Sequence, residues 1–185
     1  VYKPLYPSRF RNLRGKIVLT FDDAFKDHFK YVFPELKKRG LWGIFYIPFA
    51  PFNNEKILDV HRVHLLLGKF STHEISATLN NIVNESMLSH LHIEEYHSET
   101  YNKQNNDEAT NHVKRLLNYF IDYKFREEVI DQLMRIYFPN EKEITNNFYM
   151  TLSELKKMSS EGMLLGSHTV NHPLMRKLTR AQQEK

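Results

Sequence analysis

Between Lys16 and Ile47 three consecutive stretches narrow the folds open to this chain. "KIVLTF" (Lys16–Phe21) is a short apolar, β-branched run after Gly15, with the composition of a buried strand. In "DAFKDHFKYVFPELKKRG" the apolar residues Phe25, Phe29, Val32, Phe33 and Leu36 recur at helical spacing. Pro34 kinks that helix or starts a second turn, and Gly40 behind Lys37, Lys38 and Arg39 ends it. "GIFYI" (Gly43–Ile47) reads as a second buried strand. Strand, helix and strand within about thirty residues is the pattern of a βαβ unit with parallel strands.

The pattern then changes. From about Asn53 to Asn147 the periods are helical and no strand is convincing. "ILDVHRVHLLLGKF" is one helix, and "STHEISATLNNIVNESM" is another, opened by a capping-box spacing from Ser71 to Glu74. "HSETYNKQNNDEAT" is polar and reads as a loop. "NHVKRLLNYFIDYKFREEVIDQLMRIYFP" is a broken helix or two, ended by Pro139. At Thr151 the earlier style returns. "TLSELKKMSSEG" is a short helix with a capping-box spacing from Thr151 to Glu154 and Gly162 at its end, and "MLLGSH" is a third short buried strand. "LTRAQQEK" starts another helix, with Thr179 and Gln182 at capping-box spacing.

Composition removes several classes of function. The chain of 185 residues is 41% hydrophobic and 26% charged, ordinary for a globular domain. It has no cysteine, which excludes disulfides and thiolate metal ligands. Its net charge of +4 is scattered, with no basic stripe interleaved with aromatics, so nucleic acid is not an expected partner. No apolar run is long enough to span a bilayer. No secretory leader is visible in "VYKPLYPSRF", which leans towards the cytoplasm. Oligomeric state cannot be read from the chain.

Functional residues of parallel α/β folds collect at the carboxyl ends of strands. Asp22 and Asp23 end the first strand. His168 ends the third, and His172 lies in the following loop "HTVNHP". Two imidazoles and one carboxylate suit zinc or a similar divalent ion with one position open to water, and the second carboxylate is then available as a general base. This set fits hydrolysis of an amide or ester. The plainer alternative is that the paired Asp caps the next helix and that the histidine pair binds nothing.

At these residues the chain resembles the polysaccharide deacetylases, the NodB-homology or carbohydrate esterase 4 family. "LTFDDAF" and "LLGSHTVNHPLM" are similar to that family's first two motifs. "YVFPELKKRGLWGIFYIP" and "FYMTLSELKKMSSEGMLLGSHT" are similar to the segments around them. The resemblance covers about residues 14–52 and 148–185. It implies an α/β fold, a partial distorted (β/α) barrel with a large helical insertion between the second and third strands. The expected division is 1–52 as the first part of that domain, 53–147 as the insertion, and 148–185 as the continuation, cut short at Lys185. The family's arginine motif, its substrate-groove Asp/Trp motif and its Leu-x-His general acid would all lie downstream.

Carried over by position, the resemblance makes Asp22 the catalytic base and Asp23, His168 and His172 the metal ligands, with Thr169 shaping the loop by hydrogen bonding. The implied cofactor is zinc, with cobalt, nickel or iron as alternatives. The implied substrate is a carbohydrate carrying an acetamido or acetyl group, hydrolysed to release acetate. Rival readings are a deformylase or cyclic-amide hydrolase on the same scaffold, and a glycan-binding pseudoenzyme that keeps the metal without turnover. Where the family has Gly or Ser after the paired Asp, this chain has Ala24, small enough to be harmless.

In the insertion, His61, Arg62 and His64 are candidates for a substrate groove. The alternative is an amphipathic helix that packs Val60, Val63, Leu65, Leu66 and Leu67 and turns its polar residues to water. Phe49 and Phe52 are candidates for stacking on a sugar. His28 reads as structural. The scattered His73, His90, His92, His97 and His112 read as solvated.

Overall fold

The computed structural model describes residues 17–54, 56–89, 105–175 and 178–184. The chain divides into two compact units, residues 1–47 with 150–167, and residues 48–149 with 168–185.

The first unit is built on a parallel three-stranded sheet in the order β1-β2-β3, with β1 Thr20–Asp22, β2 Ile44–Ile47 and β3 Leu164–Ser167. Phe21 pairs with Phe45 and Phe45 with Leu165, while Asp22 pairs with Tyr46 and Tyr46 with Gly166. This is an α/β arrangement. β1 is shorter than the apolar run predicts, because the ladder can begin only where β2 does. The Ile44 N–H donates to the Leu19 carbonyl at 2.9 Å, and Ile17, before that point, is 86% exposed. Lys16 lies outside the described residues. Gly166 has a steric reason within β3, since a Cβ there would come within 2.6 Å of the Tyr46 ring.

β1 and β2 are joined by a π-helical turn, His28–Val32, that runs into α1, Phe33–Lys38. Pro34 stands where the π-helical turn passes into α1, with helical backbone before and after it, so it does not break the helix. Gly40 ends α1 at φ +64°. The Leu41 N–H reaches the Leu36 carbonyl at 2.8 Å and the Gly40 N–H reaches Lys37 at 3.0 Å, a Schellman exit that sends the chain into β2.

The helix ahead of β3 repeats this device. After Ser160 the Met163 N–H reaches Met158 at 3.0 Å, the Gly162 N–H reaches Ser159 at 3.2 Å, and Gly162 has φ +98°. Both helix ends therefore leave by the same left-handed glycine, and a strand follows each.

In the second unit the regular elements are helical among the described residues, apart from one antiparallel bridge between Leu88 and Ile121. They are α2 Ala50–Asn54, α3 Asp59–Lys69, α4 Thr72–Ile82, a 3-10 turn Glu85–Met87, and α5 Glu108–Arg115 continued by a π-helical turn Leu116–Phe120. Then come α6 Tyr123–Tyr137 and α7 Glu141–Phe148. In the first unit α8, Leu152–Ser160, precedes β3, and the second unit also holds α9, Arg180–Gln183.

The helical core takes Val63 and Leu66 from α3, Ile75 and Leu79 from α4, Val113 from α5, and Val129, Ile130, Leu133 and Met134 from α6. These are the three- and four-residue spacings of amphipathic helices. The capping boxes of Thr151 and Thr179 form. The one expected at Ser71 does not, because Ser71 is the N-cap of α4 without a side-chain cap bond. Spacing permits such a box but does not compel it at an exposed helix start.

Most of the polar stretch 97–110, with His90, His92 and His97, lies outside the described residues. No helix of the described residues is long and apolar enough to cross a membrane.

Candidate metal centre

Asp22 is the exposed last residue of β1. Asp23 follows it, its N–H donating to the Tyr46 carbonyl at 3.0 Å, so the first motif leaves the sheet beside the end of β2. His168 follows Ser167, the last residue of β3. The non-glycine residues with positive φ among the described residues are Asp23 (76°), Ala24 (57°), Thr169 (61°) and His172 (51°). All four belong to the two quoted motifs. A left-handed backbone costs an L-residue about 1–2 kcal/mol and persists only where the surroundings over-determine it, as they do at functional sites.

Ala24 shows the cost of departing from Gly or Ser. It is fully buried and its carbonyl accepts from the Met150 N–H at 2.9 Å. A methyl is small enough for the space, but the backbone is one that glycine adopts more cheaply. Ala24→Val is expected to destabilise the protein by roughly 3 kcal/mol through strain and overpacking, with Ala24→Gly within about 1 kcal/mol of the parent. Denaturant melts test this. Equal midpoints for Val and Ala at this position would show that neither the backbone nor the space constrains it.

The second-motif loop is fixed by hydrogen bonds. The Thr169 hydroxyl accepts from the His172 N–H at 3.0 Å, which folds the intervening residues into a tight turn. The Thr169 carbonyl accepts from the Phe49 N–H at 3.1 Å, and the Val170 carbonyl from the Ala50 N–H at 2.9 Å. The Tyr123 hydroxyl is hydrogen-bonded to the Leu174 backbone, and burial holds it in its neutral form by pushing its pKa up. The His168 and His172 rings meet edge to face, with centroids 4.6 Å apart.

Asp23 offers one carboxylate oxygen and His168 and His172 one ring nitrogen each, a candidate donor set for a metal ion. Two neutral nitrogens and one carboxylate oxygen are the donor types such an ion takes.

His28 packs among the rings of Phe21, Phe25 and Phe45 at 5.6–5.8 Å. Burial lowers its pKa against the opposing pull of Asp23, Asp27 and Asp22.

Inside the second unit, His61 is 5% exposed, with Nδ1 at 2.6 Å from the Tyr149 hydroxyl. Arg62 is 2% exposed. It donates in a two-pronged bond to Glu141, with both distances 2.7 Å, and to Asp131 at 2.7 Å and Asp59 at 3.1 Å. Only His64 of the three groove candidates faces solvent. The alternative that α3 turns its polar residues to water is corrected at His61 and Arg62, which are buried against polar partners. Phe49 is 58% exposed, and Phe52 is half-buried.

A family model described as polysaccharide deacetylase matches residues 130–185. The matched stretch contains α8, β3, His168 and His172, while Asp22 and Asp23 lie outside it. No curated protein and no solved structure matches the chain.

Proposed function

We propose that this chain, whose residues 130–185 match a polysaccharide deacetylase family model, is a metal-dependent hydrolase removing an acetyl group from a carbohydrate, with an N-acetyl amide as the preferred bond. The observation that supports this best is the candidate donor set of Asp23, His168 and His172, one carboxylate and two imidazoles carried by motifs that follow β1 and β3. The proposed setting is a distorted (β/α) barrel of which the parallel sheet is a part, with 53–147 as an insertion between residues 1–52 and 148–185.

In this reading Asp23, His168 and His172 hold zinc or a similar ion. Bound there, the ion would acidify water and polarise the acetyl carbonyl. Asp22, next to the ligand Asp23 but exposed, takes the proton from the attacking water. Water oxygen adds to the acetyl carbon, the C–N bond breaks, the proton passes to the departing amine, and acetate leaves. Thr169 keeps the His168–His172 turn closed through its bond to the His172 N–H.

Acetate release from a panel of N- and O-acetylated oligosaccharides tests the reading. Turnover that a chelator abolishes and added zinc restores is expected. Formate release from N-formyl sugars, with no acetate from any acetylated one, would move the reaction to a deformylase. Saccharide binding without any hydrolysis would make the chain a pseudoenzyme.

A further inference from the structure

Positive charge is scattered along the sequence, but the fold gathers that of the first unit on two helices. Lys26 and Lys30 lie between β1 and α1, Lys37, Lys38 and Arg39 end α1, and Lys156 and Lys157 belong to α8. Among the described residues these are all the cations of that unit. Phe33 and Leu36 of α1 and Leu155 and Met158 of α8 are buried, so the charges ride on the opposite, outward sides of the helices.

Side chains join the two outward sides. Lys26 pairs with Glu154 at 3.2 Å, and Lys37 pairs with Glu161 just past the end of α8. The Phe29 and Phe33 rings stack with centroids 5.6 Å apart. Lys157 Nζ lies 6.0 Å from the Phe29 centroid and Lys37 Nζ 5.7 Å from that of Phe33. One cation from each helix therefore flanks a single aromatic pair. Glu35 is taken up by Arg39 at 2.6 Å. Lys30, Lys38, Lys156 and Lys157 are exposed and have no carboxylate in ion-pair contact among the described residues. With most of the acids already paired, the surface is net positive.

Large apolar side chains stand among these lysines. Tyr31 is 58% exposed and Leu152 60% exposed. Lys30 Nζ lies 4.9 Å from the Tyr31 centroid, and Leu152 is four residues before Lys156 on α8, hence on the same face. A soluble polyanion would satisfy the lysines and leave Tyr31 and Leu152 in water. A lipid surface takes both, with phosphates for the ammonium groups and the acyl boundary for the apolar side chains. Long lysine stems reach from the one layer to the other.

We infer that the outward face of α1 and α8 is a docking surface for an anionic phospholipid bilayer. Attraction of the lysines brings the chain to the headgroups, and Tyr31 and Leu152 enter the interface. This docking is independent of the proposed reaction.

The test is sedimentation of the full chain with phosphatidylcholine vesicles and with vesicles of equal parts phosphatidylcholine and phosphatidylglycerol. Binding to the anionic vesicles alone is expected, falling steeply as salt rises. Lys38→Gln, Lys156→Gln and Lys157→Gln combined should weaken it by roughly 10²-fold, about five-fold for each charge. Arg at the same three positions should bind as the parent does. Lys69→Gln, Lys124→Gln and Lys142→Gln combined remove as much charge from exposed positions of the second unit and should leave binding nearly unchanged. Absence of binding to the anionic vesicles, equal binding to both vesicle types, or equal losses in the two Gln variants would overturn the docking surface. Capture of polyglutamate with no binding to vesicles would overturn it in favour of a soluble polyanion.

Discussion

Asp22→Asn is expected to lower acetate release by about 10²–10⁴-fold while metal content stays at the parental level, whereas His168→Ala is expected to lose both. The two positions separate base from ligand. Asn is nearly isosteric with Asp but cannot take a proton from water, and Asp22 is not among the three candidate ligands. His168 is one of those three. Its removal leaves one imidazole and one carboxylate, too few donors for a stable zinc site. Steady-state kinetics paired with metal analysis on the same samples reads both effects. Full activity in Asp22→Asn would remove it as the base. Full metal content in His168→Ala would mean that the ion sits elsewhere.

The largest stability effect is expected at Arg62. Its guanidinium is 2% exposed and binds Glu141, Asp131 and Asp59. Alanine there leaves three carboxylates facing one another without their shared cation. Breaking a buried charge set from one side costs about 3–5 kcal/mol, so Arg62→Ala should melt far below the parent. Arg62→Lys should fall between, because an ammonium cannot make the two-pronged bond to Glu141.

The same cluster gives a pH signature. Burial pushes the Asp131 carboxyl up, but Lys56 and Arg62 outweigh it and hold the pKa below the ordinary value. A depressed folded pKa contributes stability above the unfolded value near 4, lost as pH falls through the folded one. That acid-side loss should shrink in Arg62→Ala. Urea titrations at neutral and acid pH check both effects, and an Arg62→Ala protein as stable as the parent would contradict the buried-hub description.

The strand–helix–strand start was legible because its signals are local. Apolar runs, the period of Phe25 to Leu36 and the Gly40 stop each report on a few neighbouring residues. The placement of Asp22 at the end of β1 and of His168 just after β3 was legible for a related reason, since both follow from short local apolar runs. Arg62 and His61 were harder. Their partners Glu141 and Tyr149 lie 79 and 88 residues away, and nothing in "DVHRVH" distinguishes a buried cation from a solvated one. The left-handed backbones of Asp23, Ala24, Thr169 and His172 were also invisible, because none is a glycine or asparagine to mark them. The helix α2 was not legible in the sequence, since it is only five residues long and has Pro51 within it.

Whether Asp23, His168 and His172 hold one ion can be settled by an anomalous-scattering map, with an X-ray fluorescence scan, on crystals of the chain grown with zinc and without chelator. A single peak about 2.0–2.2 Å from the Asp23 carboxylate and from one ring nitrogen each of His168 and His172 is the predicted result. Intact side chains at those three positions with no anomalous peak between them would contradict it.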